Sequence, residues 1–490
     1  MLISVVIRAV VIPPLTEGDT VFRKKTRDEA PTFWIATSDL PSTPADTFYQ
    51  KLDAALMECD FGETVRRLAA PFYEMDARKG GQPGIDPEVY FKMLMVGFFE
   101  NLTSERAIAA RCADSLSIRA FLHYELGERT PHHSSFTVIR QRLTSEVYDA
   151  VFDLILCALR AKKLLKGKHL AIDTSVLEAN ASLRSLEHRL TGERYRQYVK
   201  RLAAAAGVDT ADPRAVSTFD RKRKGRKTSN AEWQNPHDPD AKVGPDKKGV
   251  TRMLYKPEHV VDLDTGAIVD VELQFGDHHD AHGLADRVLE VEGRMNMALG
   301  DAADVARVKA IVGDMGYCDA TELGLLQTVG IRTAIADPVR NRRWEKLAVE
   351  ERRSLRTAQR TTRSASGRAL MRRRGELCER SFVHVLDYGG ARRTTLRGWE
   401  NIRKRYLIQA ACANLALLLR HETGVGTLKQ SWAASEGALC ALIVAIHVLL
   451  HHQIEHGDFN HHTQHRFAGG ASCSSPERCR PPNSGSSTVC

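Results

Sequence analysis

The chain has 490 residues, 43% hydrophobic and 27% charged, an ordinary composition for a soluble protein with two or three well-buried domains. Its net charge of +9 and pI near 9.0 favour a polyanionic partner, nucleic acid before membrane. Ten scattered cysteines include no CxxC pair, which excludes a zinc ribbon or a CxxC redox motif and fits a reducing cytoplasm.

The apolar start, Met1 to Ile12, is stopped by Pro13 and Pro14 and is too short to span a membrane. It has no basic n-region and reads as a start extension, not a signal peptide. Residues 1–45 carry no sustained period and are expected to be a poorly ordered lead-in. Residues 46–145 read as helical. Asp86-Pro87 supplies an N-cap and a first-turn proline, and Tyr90, Leu94 and Phe98 then recur at helical spacing. Thr103 to Arg106 opens a second helix, Ser115 to Phe121 gives a short third, and Ser134 starts a fourth through Phe136, Ile139 and Leu143. Short helices with polar turns suit a helix-turn-helix-like DNA-binding unit, although a plain helical bundle has the same pattern.

A helix over 146–163 leads to a short apolar strand, Leu170 to Ile172, which delivers Asp173 at its end. A polar stretch, roughly 180–250, follows. In it, residues 184–205 are expected to be helical, and a basic run from Arg221 through Lys222, Arg223 and Lys224 to Lys227 is expected in a loop. Met253 to Lys256 and His259 to Leu263 read as strand, Asp264-Thr-Gly266 as a hairpin turn, and Ala267 to Phe275 as the returning strand. A helix over 280–296 precedes a second buried strand, 308–313, which ends in Asp314. Ala320 to Val329 is a helix stopped by Gly330, and Ile331 to Ala336 is the last strand. This order predicts a mixed sheet with helices on its faces. Between 340 and 374 stand thirteen Arg and Lys against three Glu. Trp399 to Arg420 is a strongly patterned helix. Residues 433–450 read as a packed or amphipathic helix, and the His-rich tail beyond them as solvated and disordered.

Two strand-end aspartates and a carboxylate on a helical segment, Glu379 with Glu376 as its rival, form an oxygen-rich set. Such a set suits magnesium or manganese better than zinc. Two such ions can clamp the attacking and leaving oxygens of an in-line phosphoryl displacement. Each acid alone has a plainer reading, since strand-end Asp residues often serve turns or N-caps. The cluster His278, His279, Asp280 and His282 is read as a polar turn.

The ordered set resembles the DDE transposases of bacterial insertion sequences, in the insertion-sequence four and five superfamily. The resemblance runs from about residue 50 to about 420. Pro87 to Met95, Ser104 to Arg106, Ile118 to Phe121 and His133 to Arg140 are similar to the family's N-terminal helical domain. Ala171 to Ser175, Gly313 to Tyr317 and Glu379 to Phe382 are similar to its three acidic segments, and Asn414 also fits. The resemblance implies a helical DNA-binding domain over 46–145 and an RNase-H-like catalytic domain over 146–425, with a five-stranded mixed sheet and a basic insertion at 180–250. It also implies dependence on Mg2+ or Mn2+, with two ions on Asp173, Asp314 and Glu379, and double-stranded DNA as partner through element ends and target. It further implies assembly as a homo-oligomer on DNA in the cytoplasm. Phosphate contacts are expected from Arg140, Arg221, Lys222, Arg223, Lys224, Lys256, Arg372, Arg373, Arg374, Arg392, Arg393 and Lys404. Two departures stand out: Met315 replaces a lysine common after the second aspartate, and Leu386 stands where a basic residue is common, with Arg392 or Arg393 as substitutes. A metal-dependent nuclease on the same fold and an inactive DNA-binding remnant remain as alternatives.

Overall fold

The computed structural model describes residues 43–77, 84–224, 229–246, 248–278, 283–297, 307–339, 341–437 and 440. The expected lead-in and the His-rich tail therefore lie outside the described residues, except for the segment 43–45. All elements below belong to one compact unit beginning at Pro44.

Seven helices come first: α1 Pro44–Glu58, α2 Phe61–Ala77, α3 Pro87–Phe99, α4 Glu105–Asp114, α5 Leu116–Phe121, α6 Ser134–Arg142 and α7 Ser145–Ala161. Their starts are written in the sequence. Asp86 caps α3 by accepting from the Glu88 amide, with Pro87 at the first turn. Ser104 and Ser115 cap α4 and α5 in the same way, through the Ala107 and Ile118 amides.

The sheet follows as β1 His169–Thr174, β2 Thr251–Asp262, β3 Ile268–Phe275, β4 Ala310–Gly313 and β5 Arg332–Ile335. The order across these five strands is β3-β2-β1-β4-β5. β2 runs antiparallel to both β1 and β3, whereas β4 and β5 are parallel to β1. This is the RNase-H-like arrangement. The two runs expected on either side of Pro257 form one continuous strand of 12 residues. Two short strands, Leu177–Glu178 and Lys242–Pro245, also pair with β2.

Strand alternation divides the sheet's two faces. Leu170, Ile172 and Ile311 point into the large core shared with the N-terminal helices. Ala171, Ala310, Val312 and Ala334 point to the opposite face, where Leu370 and Cys378 cover them. The large core runs without a break from α1 to the long helix α14, Trp399–Thr423. The helical and sheet regions therefore share a core across the boundary expected near residue 145. A partly buried ionic network reinforces the junction. Arg294 reaches Asp149 and Asp153 on α7 and Asp270 on β3, and Arg403 on α14 reaches the same Asp149.

Within the insertion, the expected helix over 184–205 is only half realised. A 3-10 turn at Leu183–Ser185 and a short strand at Glu187–His188 come first, and the helix proper is α8, Tyr195–Ala205. The indole of Trp233 overrides the helical pattern by drawing His188, Tyr195 and Tyr198 around itself. Helix α9, Pro213–Lys222, then places Arg221 and Lys222 in a helical last turn rather than a loop. The remaining helices are α10 Leu284–Met297, α11 Ala320–Thr328, α12 Val349–Arg363 and α13 Ala365–Phe382, the last running on into a π-helical turn, Val383–Tyr388.

Candidate active site

β1 and β4 pair in parallel with His169 opposite Ala310, Leu170 opposite Ile311 and Ala171 opposite Val312. Two more residues in this register set Asp173 beside Asp314. Both continue the alternation of Ala171 and Val312, so both lie on the face covered by α13. Asp314 also closes the strand locally: its Oδ1 accepts from the Gly316 amide at 2.7 Å and caps the 3-10 turn Met315–Tyr317. Met315, which follows it, is exposed.

Asp173 is largely shielded. Its Oδ1 accepts from the Thr174 amide at 3.0 Å, and its Oδ2 accepts from Arg374 Nη1 on α13 at 2.8 Å. Burial raises the Asp173 carboxyl above its usual range, the guanidinium of Arg374 pulls it down, and the charge of Asp314 pushes it up.

The third acid behaves differently. Arg374 and Cys378 are four residues apart on one face of α13, and that face meets Asp173. Glu379 is one residue further on, about 100° around the helix, and it is exposed. Glu376 is also exposed and pairs with Arg380 at a helical turn's distance. The expectation that Glu379 meets the two aspartates is thus not met in this arrangement. Among the described residues no three His, Cys, Asp or Glu side chains converge as an ion site. The reason lies in helical periodicity. The buried stripe of α13 is set by Leu370, Cys378, Ser381 and Phe382, which leaves position 379 off it. The same spacing, read from the sequence, would have put Arg374 rather than Glu379 over the sheet.

What holds α13 there is His259, paired directly with Asp173 across β1 and β2. His259 is fully buried and stacks on Phe382 with ring centres 4.1 Å apart. Its Nδ1 lies 2.8 Å from Ser381 Oγ and its Nε2 2.7 Å from Tyr406 Oη. Ser381 Oγ donates to the Cys378 carbonyl, so it accepts from Nδ1–H while Tyr406 donates to Nε2. Burial keeps this ring neutral, with its pKa lowered to about 3. Asn414 on α14 clamps the start of β3, accepting from the Ile268 amide at 2.9 Å and donating to its carbonyl at 2.8 Å.

Apart from Arg374, the expected phosphate contacts divide into three groups. Arg140 and Lys404 are corrected: both are buried. Arg140 is spent on Glu105 and Asn401, and Lys404 on the Arg140 and Leu143 carbonyls. They lock α6 to α14 and present no cation to solvent. A second group is exposed but engaged within the protein. Arg392 is bidentate on Asp387, Arg393 lies 3.8 Å from Glu178, Arg373 lies 3.4 Å from Asp264, and Lys256 donates to the His278 carbonyl. Arg223 is mostly buried against Asp220 and Tyr195. Arg221, Lys222, Lys224 and Arg372 form the third group, open to solvent. Leu386 is core. The run's last residues, 225–227, and residues 279–282 lie outside the described residues.

Two family models match the chain. One, described as Transposase domain (DUF772), covers residues 40–142. The other, described as Transposase DDE domain, covers 212–415 and so includes Asp314 and Glu379 but begins after Asp173. Among solved structures, the chain is similar to one described as Mos1 transposase paired-end complex with left transposon end. That match has 11% identity, covers 63% of this chain and 82% of that one, and has a TM-score of 0.17. No curated protein sequence matches.

Proposed function

The chain belongs to the DDE transposases of insertion sequences, and we propose that Asp173 and Asp314 are the acids on which its DNA cleavage and strand transfer turn. The observation that supports this is the parallel register of β1 and β4, which, continued two residues past Ala171 and Val312, brings the two aspartates alongside each other at the strand ends. In the proposed reaction, water attacks the phosphorus at an element end and the 3′ oxygen departs with a proton. The freed 3′-hydroxyl then attacks a target phosphorus in line and displaces the target's own 3′ oxygen.

The donor chemistry of the pair fits a divalent ion. Two adjacent carboxylates supply hard oxygens of the kind magnesium and manganese prefer. An ion held by Asp173 and Asp314 would supply charge neutralisation and polarisation of a phosphoryl oxygen. Glu379 is proposed to complete the set once α13 or its own side chain has turned toward the pair. Arg374 stabilises the paired aspartates meanwhile, and its guanidinium is placed to take a phosphate oxygen when it leaves Asp173. Arg372, Arg373 and the exposed end of α9 are proposed to hold flanking phosphates.

The test is Asp173→Ala. It should abolish cleavage of element-end DNA while leaving DNA binding intact; a variant that still cuts removes Asp173 from the chemistry. A joining assay with pre-cut ends separates a transposase from a nuclease on the same fold, because only the former yields strand-transfer products.

A further inference from the structure

Helix α12 carries Arg353, Arg356, Arg360 and Arg363, at spacings of three, four and three residues that place all four on one stripe. All four are exposed. The opposite face of the helix, with Ser354, Leu355 and Ala358, is buried, which fixes the direction of the stripe. The acids of α12, Glu350 and Glu351, stand in its first turn, before the stripe begins.

Several arginines elsewhere in the fold are matched with acids, as at Arg66, Arg111, Arg287 and Arg294. Among the described residues, none of the four stripe arginines has a carboxylate partner. Arg356 alone makes a ring contact, over Trp344 at 5.3 Å. Like charges three and four residues apart destabilise a helix. A merely solvated face would be expected to alternate its signs, and this one does not.

The stripe also matches the repeat of a polyanion. From Arg353 to Arg363 the helix rises roughly 15 Å. One strand of duplex DNA carries a phosphate about every 3.4 Å along its axis, so about four phosphates lie under four arginines. The fully exposed positions after the first turn are arginine alone, with the half-buried Gln359 beside them, and a row of guanidiniums at this spacing suits successive backbone phosphates. α12 packs beside the edge strand β5, next to β4 and Asp314.

We propose that this stripe is a docking surface for the backbone of duplex DNA of any sequence, flanking the aspartate pair. The proposal rests on the transposase reading and deepens it by assigning a surface for sequence-independent contact. The experiment measures affinity against salt for the full chain on a random-sequence duplex and on an element-end duplex. It compares the wild type with a variant carrying Gln at all four positions and with one carrying Lys at all four. The slope of log affinity against log salt should shallow by about 3 to 4 in the Gln variant, equally on both duplexes, and Lys should restore it. Thermal unfolding of the Gln variant should match the wild type. An unchanged slope, or a loss confined to the element-end duplex, overturns the proposal. A wild-type chain that binds neither duplex would overturn the transposase reading itself.

Discussion

Arg374 donates from Nη1 to Asp173 Oδ2 at 2.8 Å, while its Nε is buried without a hydrogen-bond partner. A guanidinium thus stands against the carboxylate pair with part of its donor set unused. Buried donors left unpaired are uncommon and costly.

An ion binding at Asp173 must compete with Arg374. Arg374→Gln removes that competitor, so manganese affinity measured without DNA should rise severalfold, while DNA cleavage falls through loss of the phosphate contact. Titration followed by the manganese electron-spin signal reads the first effect. Weaker manganese binding in the variant would mean that Arg374 helps to build the ion site instead of competing for it.

Arg140 makes the opposite case, a basic residue that serves the fold alone. It is buried against Glu105 and Asn401. Arg140→Ala leaves the Glu105 charge unpaired and should cost about 3 kcal/mol of stability. The salt dependence of DNA binding should not change. Urea unfolding checks the first expectation, and a shallower salt slope would return Arg140 to the DNA contacts.

Three buried groups set a pH dependence of known sign. Burial lowers His259 to about 3 and His384 to about 4. Both are neutral when folded but take up protons when unfolded below about 6.5. The stability they contribute is full above that pH and is lost as pH falls toward their folded values. Glu258 runs the other way. Burial raises it to about 7, so its contribution is full below the unfolded value and is lost as pH rises toward 7. Between about pH 4.5 and 6.5 the unfolded chain holds one more proton in total across the three groups. Their net effect is therefore a rise in stability of about 1.4 kcal/mol per pH unit. His259→Asn should bring their combined slope near zero, and denaturant midpoints at pH 5.0 and 6.5 (about one proton's linkage apart) would show it. An unchanged slope would place the titrating group elsewhere.

Much of the framework was legible because local chemistry and tertiary packing agree. Asp86-Pro87 and Ser104 start helices wherever they stand, and the apolar runs before Asp173 and Asp314 are short because β1 and β4 are short and buried on both faces. The strand-end position of each aspartate could therefore be read directly. The pairing of β1 with β4 is a long-range register that the family resemblance supplied and local pattern did not. Side-chain direction on α13 is less legible: the resemblance points to Glu379, while helical periodicity sets the stripe through Leu370, Arg374, Cys378 and Ser381 against the sheet. Arg140 and Lys404 failed for a related reason: a basic residue in a chain of net charge +9 looks like a phosphate contact until its burial is known.

The central claim is that Asp173 and Asp314 act together on one divalent ion. Its most direct test is manganese binding to the wild type, Asp173→Asn and Asp314→Asn, each shown to be folded by thermal unfolding. Either substitution should weaken binding by about tenfold or more. Wild-type affinity in Asp314→Asn would contradict a shared site.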